Sequence, residues 1–397
     1  MQTIFCTVLF IAFAAYGETL TLQSLPEKVR STHPALQAAR LAIDEARGRQ
    51  LASGRLSNPD AGLDFRHDDR FREGNVSLFF EQRFPLTARL KLEKHMTAQL
   101  VEAAELEVKE MERKLVFAAQ AAAVELLAQQ RRVELTRQQM DLMKELSDFV
   151  KARVGEGEIS AFDEAQLRLD SQRLELDLRR LEGEKVRLLD ALRMAVGTDI
   201  DLSGTLPAVG AVPQKAPWEQ RADYRMARLK EDVARSGIDL AHSRKWEDIS
   251  AGVFLEGETH DDGGVLEDKP FFGFRISLPL PLWNKNEGEV AEKSAGVRRS
   301  ALETKALASA IRNEVSAARN EMLAAAQLEK ETREKLLPLV SEQMDRLEKA
   351  YENGQTDLIT LQRTREQRLQ AESMLLDAAR DFNLARIRYD AAIGSQP

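Results

Sequence analysis

The chain has a single cysteine, Cys6, among 397 residues, and aromatic residues make up only 6% of it. If Cys6 is removed with the N-terminal segment described below, no thiol remains for a disulfide or a catalytic thiolate. After that segment no stretch of 18 continuous apolar residues occurs, which argues against a transmembrane helix. The net charge of −8 gives no support to nucleic-acid binding, which needs a basic face.

Motifs that accompany catalysis are also missing. The five histidines, at positions 33, 67, 95, 242 and 260, do not have the spacing of HExxH or a comparable ligand set. No nucleophile elbow, phosphate loop or Ser-His-Asp pattern occurs. Gly155 and Gly157 are too close to form a dinucleotide fingerprint and mark a break between helices instead. We therefore expect no enzymatic activity and no cofactor.

The N-terminus has the pattern of an export signal. Residues 4–15 are an apolar or small run that is too short to span a bilayer, and Ala15-Tyr16-Gly17 supplies small residues for a cleavage site. The sequence predicts a signal peptide over residues 1–17, and a buried first helix is the alternative. An exported chain without a transmembrane helix is soluble in the periplasm, secreted, or inserted as a β-barrel.

The chain contains two copies of one unit. Phe84-Pro85-Leu86 is matched 196 residues later by Leu280-Pro281-Leu282, and Gly157 is matched by Gly354 at an offset of 197. Each copy reads helix, β-hairpin, very long helix, return helix. Such constant spacing predicts a tandem repeat, with copies over 18–197 and 218–397 and a Gly- and Pro-rich linker over 198–217.

Alternating residues predict two hairpins, over about 60–84 and 248–281. One face is expected to be apolar and the other charged. Such alternation favours a lipid-facing exterior around a wet lumen, although a water-soluble hairpin packed on a helix would look similar. Four strands cannot close a barrel alone, since about eight is the practical minimum. The apolar face is predicted to hold Leu63, Phe80, Val253 and Phe274, and the polar face Asp64, Glu81, Glu256 and Arg275.

The helices that follow the hairpins are predicted to be exceptionally long. No proline or glycine occurs from Thr87 to Val154, and about 65 helical residues would make a rod of roughly 100 Å. A first helix is predicted over 25–56, and return helices over about 160–196 and 357–394. Heptad spacing predicts buried seams at Ala104, Val108, Met111, Leu115, Ala118 and Ala122 and, in the second copy, at Ile311, Val315, Ala318, Met322 and Ala325.

This order of elements resembles the TolC family of outer-membrane efflux factors over essentially the whole mature chain. The segment from Ser277 to Gly288, SLPLPLWNKNEG, is similar to the strand-to-helix junction of the CzcC-like heavy-metal branch, and Phe84-Pro85-Leu86-Thr87 is a shorter match. The resemblance implies a mainly α fold with a small membrane β-part. Three chains with four strands each would form a homotrimer with a 12-stranded outer-membrane barrel, continued by a periplasmic α-helical tunnel.

The function that the resemblance implies is a passive exit duct. Solute would arrive from an inner-membrane pump of the resistance-nodulation-division type through a periplasmic adaptor (membrane fusion) protein, with divalent heavy-metal cations as candidate cargo. Two alternatives are a periplasmic coiled-coil adaptor and an envelope scaffold protein. An adaptor carries one helical hairpin between β-rich halves, whereas this chain has two hairpins and little other β sequence.

The resemblance also places a closed periplasmic entrance at the turns between long and return helices. The predicted turn residues are Gly155, Gly157 and Gly354. Thr360 and Arg363 stand where the family has acidic residues, so Arg363 is expected to pair with a neighbouring carboxylate. A solvated helix surface is the competing interpretation. The predicted entrance residues are Glu156, Glu158, Asp163, Asp357, Thr360 and Arg363.

Two similar tripeptides are weak candidates for a divalent-metal site. Both are predicted to lie in hairpin loops, where imidazole and carboxylate groups could bind a cation. Solvated turns are the competing interpretation, because aspartate favours turns. The tripeptides are His67-Asp68-Asp69 and His260-Asp261-Asp262.

Overall fold

The computed structural model describes residues 18–69, 74–155, 160–214, 217–262, 265–353 and 355–395. The predicted signal peptide, 1–17, lies outside them. The chain forms two compact units, and each unit draws on both sequence copies. The helical unit comprises the described residues within Met1–Gln37, Met111–Trp218 and Ile311–Pro397, and the sheet unit comprises those within Ala38–Glu110 and Glu219–Ala310. The copy boundary within 198–217 remains a prediction about the sequence.

The elements follow the predicted order in each copy. The first copy contains β1 (Glu18–Leu20), α1 (Leu25–Thr32), α2 (Pro34–Ala52), β2 (Asp60–His67), β3 (Gly74–Phe84), α3 (Arg89–Gly155) and α4 (Ala161–Val196). After β4 (Ile200–Leu202) come α5 (Ala222–Ser243), β5 (Ile249–Asp262), β6 (Val265–Ser277), α6 (Glu287–Glu331), a π-helix (Thr332–Leu336), α7 (Leu337–Glu352) and α8 (Leu358–Ile393). Among the described residues, none of these helices is long and apolar enough to cross a membrane.

Both predicted hairpins are present, and they join into one antiparallel sheet. The strand order is β2-β3-β5-β6, so the two hairpins meet where β3 pairs with β5. That pairing runs without a break from Gly74 opposite Thr259 to Phe84 opposite Ile249. Strand β6 ends at Ser277, earlier than the predicted limit of 281. Pro279 and Pro281 explain the difference, because proline has no N–H to give to the ladder.

The predicted helix over 25–56 is wrong in two respects, because it is two helices and the second of them ends at Ala52. Helix α1 ends at Thr32 and α2 begins at Pro34, with His33 in an extended conformation between them. The residue before a proline is disfavoured in the α region, and proline itself is well tolerated at the first helical position. The chain therefore bends at His33 instead of continuing as one rod.

Helix α3 buries a different set of side chains from the predicted seam. Val108 is buried, but Met111 and Ala118 are exposed, whereas Val116 and Ala119 are fully buried. The helix is alanine-rich and apolar on more than one side, so heptad counting did not select the correct face. In α6 the prediction is confirmed, because its seam is buried at every position: Ile311, Val315, Ala318, Met322 and Ala325.

A proline also divides the second long helix, which the heptad pattern did not predict. The π-helix Thr332–Leu336 precedes α7, and Pro338 lies in the first turn of α7. Proline cannot donate the α-helical hydrogen bond and its ring would clash with the carbonyl of residue 334. The wider turn of the π-helix accommodates the missing hydrogen bond and the proline ring. Proline and π-helical turns are common causes of irregularities in long helices.

The helical unit has a core that ties the chain start to the linker. Strand β1 pairs in parallel with β4, and Leu20 and Leu202 are both buried beside Leu192. Later in the linker, the Tyr389 hydroxyl donates to the carbonyl of Gln214 at 2.8 Å. The linker over 198–217 therefore packs on the helices along part of its length.

Candidate functional site: a two-faced sheet and the helix tips

One face of the sheet is apolar across all four strands. The register places Leu63, Leu78, Leu255 and Phe272 opposite one another in one row. Most apolar side chains on this face are well exposed, and Phe274, in the next row, is 78% exposed. An apolar surface of this extent is unfavourable in water and suits an apolar environment. The exposed side chains on this face are Leu63, Phe65, Val76, Leu78, Phe80, Val253, Leu255, Phe272, Phe274 and Ile276.

The other face carries charge, as the alternation predicts. Asp64, Ser77 and Glu256 lie in one row across the strands. Asp60, Glu81 and Arg275 lie in another row on the same face. The division into an apolar face and a charged face is therefore confirmed. Sequence reasoning missed three aromatic side chains on the charged face, Phe79, Phe254 and Phe271. Of these, Phe79 and Phe254 lie opposite each other. Phe79 and Phe80 are adjacent apolar residues, so hydrophobicity alone does not show which of them lies on the charged face. The alternation of side chains along a strand is the signal that could have separated them.

A polar cavity lies where the strands meet the helices of the sheet unit. Its volume is about 530 Å³, and its walls include Glu81, Arg83 and Trp246. At its edge Arg89 donates from Nη2 to Asp248 Oδ2 at 2.6 Å and from Nη1 to Glu93 Oε1 at 3.1 Å. The first residue of α3 thus contacts the segment before β5. This contact joins the two sequence copies.

The junction between β6 and α6 is held by a polar side chain from the segment Ser277–Gly288. Asn286 has a φ of 62°, in the left-handed region that asparagine tolerates. Its Nδ2 donates to the carbonyl of Ala241 at 2.8 Å and to Glu289 Oε2 at 2.6 Å. The hydrogen bond from Asn286, aided by Arg244 at 2.9 Å, lowers the pKa of Glu289. These contacts fix the start of α6 against the end of α5.

The helix tips begin with capped residues. At the start of α4, Ser160 Oγ accepts from the N–H of Phe162 at 3.1 Å. At the start of α8, Asp357 Oδ1 accepts from the N–H of Thr360 at 2.7 Å. Side chains at such positions satisfy backbone N–H groups that have no partner within the helix. Asp357 therefore has a structural role at the tip that the sequence analysis did not assign.

An aromatic contact near the tips joins the two copies. The ring of Phe149 in α3 lies 6.5 Å from that of Tyr351 in α7, edge to face. Arg153 covers the Phe149 ring at 5.1 Å. Between α7 and α8, Arg365 approaches Glu348 at 3.5 Å. The long helices of both copies thus pack together at this end of the helical unit.

Several predicted entrance residues are placed and others lie outside the described part. Gly155 is the last residue of α3, and Thr360 and Arg363 are exposed on the first turns of α8. Asp163 belongs to the first turn of α4, but its side chain is not among those described. The pair between Arg363 and a carboxylate therefore stays a prediction. Outside the described residues lie Glu156, Gly157, Glu158 and Gly354.

The predicted placement of the metal candidates in hairpin loops is wrong for most of these residues. His67 is the last residue of β2, and His260, Asp261 and Asp262 belong to β5, which pairs with β6 as far as Asp262 opposite Val265. Only Asp68 and Asp69 follow a strand. Over the side chains that the structure describes, no group of three or more His, Cys, Asp or Glu is arranged to hold a metal ion. The side chains of His67 and 260–262 are not among them, so the metal site stays a prediction.

Several solved membrane-protein structures resemble this chain in fold. CusC, from a study of transmembrane channel formation, superposes with a TM-score of 0.79 at 15% identity, covering 94% of this chain and 92% of CusC. The outer membrane protein VceC of Vibrio cholerae has a TM-score of 0.74 at 17% identity, covering 94% and 96%. The open MtrE outer membrane channel of Neisseria gonorrhoeae has a TM-score of 0.77 at 15% identity, covering 94% and 88%. At sequence identities this low, the superpositions show a shared fold and nothing further.

Sequence comparison is informative for the second copy. No curated protein sequence matches the chain. The family model described as outer membrane efflux protein matches residues 215–395, which begin at the end of the linker and include β5, β6 and the helices after them. The second half of the chain thus matches the outer membrane efflux protein family. The chain as a whole has the fold of the outer membrane protein VceC and of the MtrE outer membrane channel.

Proposed function

We propose that this protein is the outer-membrane channel of a tripartite efflux system, a passive exit duct for solutes. The observation that carries the proposal is the sheet β2-β3-β5-β6, with one exposed apolar face and one charged face. A lipid-facing exterior and a wet lumen require this division. The family match over residues 215–395 supports the proposal, as does the fold shared with the outer membrane protein VceC and the MtrE outer membrane channel.

The proposed assembly is a homotrimer. Strands β2 and β6 are the two edges of the sheet, and edge strands in lipid would leave backbone groups without partners. Three copies of a four-stranded sheet, with each β6 beside the β2 of a neighbour, give 12 strands and close the barrel. The long helices α3, α6 and α7 would then form the periplasmic tunnel, after export directed by residues 1–17.

The proposed partners are a periplasmic adaptor and an inner-membrane pump of the resistance-nodulation-division type. The turns at 155–158 and 352–355 are proposed as the periplasmic entrance, where solute is received. Glu156, Glu158, Asp163 and Asp357 would make that entrance attractive to cations, with Arg363 opposing them. Divalent heavy-metal cations are the cargo suggested by the resemblance of the segment 277–288 to the CzcC-like branch.

Membrane fractionation and conductance test the proposal together. The protein is expected in the outer-membrane fraction, as a trimer on unheated gels that becomes a monomer on heating, and it should form pores in planar bilayers. A periplasmic adaptor or an envelope scaffold protein would produce no pores, and recovery in the soluble periplasmic fraction would favour one of these alternatives. Growth of a deletion strain on zinc, cobalt and copper salts tests the metal cargo separately, since normal growth would contradict that cargo while leaving the duct intact.

A further inference from the structure

Two phenylalanines interrupt the charged face of the sheet, and each lies over a glycine. Gly62, Phe79, Phe254 and Gly273 are paired in one row across all four strands. A Cβ added at Gly62 would lie 2.3 Å from Cζ of Phe79, and one added at Gly273 would lie 2.3 Å from Cζ of Phe254. The far end of each ring therefore rests on the glycine of the adjacent strand. The two rings lie along the sheet surface and leave part of each aromatic surface open.

A third ring extends this surface. Phe271 lies two residues before Gly273 on the same face and is 47% exposed. It is a diagonal neighbour of Phe254, a relationship that allows long side chains to meet. We call Phe79, Phe254 and Phe271 the aromatic patch. On its border the guanidinium of Arg275 lies 5.8 Å from the centroid of Phe254, so the ring is already placed to hold a cation.

Carboxylates border the patch on two sides. One adjacent row contains Asp64 and Glu256, and the other contains Asp60 and Glu81. Arg275 is the basic residue of these three rows, so four carboxylates and one guanidinium give a formal charge of −4 + 1 = −3.

Two neighbours reduce this charge only in part. Arg83, one row further, approaches Asp60 at 3.5 Å, but an exposed pair of this kind is weak. Asn75 donates to Glu256 and is itself neutral. The patch therefore combines aromatic surface with an excess of negative charge.

We propose that the aromatic patch is a transient binding site for organic cations that carry an apolar body. The inference rests on the proposed function, because a solute reaches this face only if the face lines a lumen. Aromatic surfaces attract cations and apolar groups together, and the neighbouring carboxylates reinforce the attraction for positive charge. Phenyl rings offer no ligand atom to a hydrated metal ion, so the patch is expected to favour organic cations over divalent metal cations.

Block of the pore by a model cation tests the site. We would record potassium chloride currents through the full-length protein in planar bilayers and add tetraphenylphosphonium, with tetramethylammonium as a cation without an apolar body. Tetraphenylphosphonium is expected to block the wild-type pore, and Phe79→Leu and Phe254→Leu are expected to weaken that block about 3- to 10-fold. Leucine keeps an apolar side chain over the glycine, so trimer yield and the unblocked current serve as the folding check.

A matched control lies on the opposite face. Phe274→Leu should leave the block unchanged, since Phe274 is on the apolar face of the same strand as Phe271. Equal block in wild type, Phe254→Leu and Phe274→Leu would overturn the site while the duct stands. A wild-type protein that forms no pore would overturn the duct, and with it this inference.

Discussion

Arg89 and Asp248 form an ion pair at 2.6 Å that links the two sequence copies within the sheet unit. Their side chains are only 26% and 23% exposed. Arg89 opens the long helix of the first copy, and Asp248 lies immediately before the first strand of the second. The pair therefore holds the sequence repeat together at the place where the sheet changes into helices.

Breaking this pair should destabilise the sheet unit. We expect Arg89→Gln and Asp248→Asn each to cost about 1–3 kcal/mol. The first leaves the partly buried Asp248 without this cation, and the second leaves Arg89 with Glu93 as its remaining carboxylate contact. The double variant should cost less than the sum, which a double-mutant cycle of urea unfolding in lipid vesicles would measure. The exposed pair Arg47–Glu105, at 3.4 Å in the same unit, is the control and should contribute about 0–1 kcal/mol. Strict additivity at Arg89 and Asp248 would contradict the proposed link.

The two faces of strand β6 should respond differently to charge. Phe274→Arg is expected to cost about 2–4 kcal/mol if Phe274 lies near the bilayer midplane, because arginine is poorly tolerated on a lipid face. Ser277→Arg, on the charged face of the same strand, should be tolerated. Trimer yield in the outer membrane and unfolding in vesicles would measure both. Equal effects at the two positions would contradict the assignment of the lipid-facing side of the sheet.

Asp390 is expected to reduce stability at neutral pH. It lies in the last turn of α8, where the helix dipole disfavours negative charge, and burial raises its pKa although Arg386 lies 3.8 Å away. A raised folded-state pKa means that ionisation destabilises the fold. The penalty is present above the folded-state pKa and disappears as the pH falls below the unfolded value of about 3.9.

Asp390→Asn should therefore stabilise the protein at pH 7 by about 0.3–1 kcal/mol. The gain should disappear towards pH 3, which thermal unfolding followed by circular dichroism would show. Asp381→Asn is the control, since Asp381 pairs with Arg380 at 2.8 Å and its loss should bring no gain. A gain at Asp390 that persists unchanged at pH 3 would rule out the electrostatic explanation.

The cap at the second helix tip should matter for the start of α8. Asp357→Ala is expected to cost about 0.5–2 kcal/mol, because the N–H of Thr360 loses its acceptor, whereas Asp357→Ser should keep most of the stability. Hydrogen exchange over 358–364 would locate the effect. Ser160→Ala offers the same test at the first tip. Equal protection in all these variants would show that the caps are not important.

The entrance prediction can be tested by charge reversal. Asp163→Arg is expected to increase conductance in planar bilayers and to sensitise cells to large antibiotics. In the proposed entrance, the variant replaces a carboxylate that would help hold the tips closed with a positive charge that would repel Arg363. Asp177→Arg, further along α4 and 60% exposed, is the control and should change neither. Normal trimer levels with unchanged conductance for Asp163→Arg would indicate that Asp163 and Arg363 belong to an ordinary solvated helix surface.

Local patterns predicted the hairpins and the return helices because both depend on near neighbours. Alternation alone assigned Leu63 and Phe274 to one face and Asp64 and Arg275 to the other, and the register agrees. The return helices end where Gly197 and Gly394 take the left-handed conformation, with φ of 81° and 71°. Glycine does this without a steric penalty, so the stop signals can be recognised in the sequence.

The buried side of α3 could not be predicted in the same way. Val116 and Met111 are both compatible with an apolar seam, and only packing against the other helices buries the first and exposes the second. The parallel pair β1–β4 was also missed, because it joins residues about 180 positions apart through three-residue strands that have no local signature. The capping role of Asp357 could be recognised only from the three-dimensional structure, since an aspartate near a turn can have several roles.

The amino-acid sequence by itself determined the tandem repeat, the alternating strands and the long helices, since these follow from side-chain periodicity and from where proline and glycine occur. Tertiary structure decided that the two hairpins join through β3 and β5, that Arg89 meets Asp248, and that Phe79 and Phe254 lie side by side over glycines. Those outcomes depend on contacts between segments far apart in the chain. Such contacts are selected by burial and pairing across the whole fold, which no local pattern records.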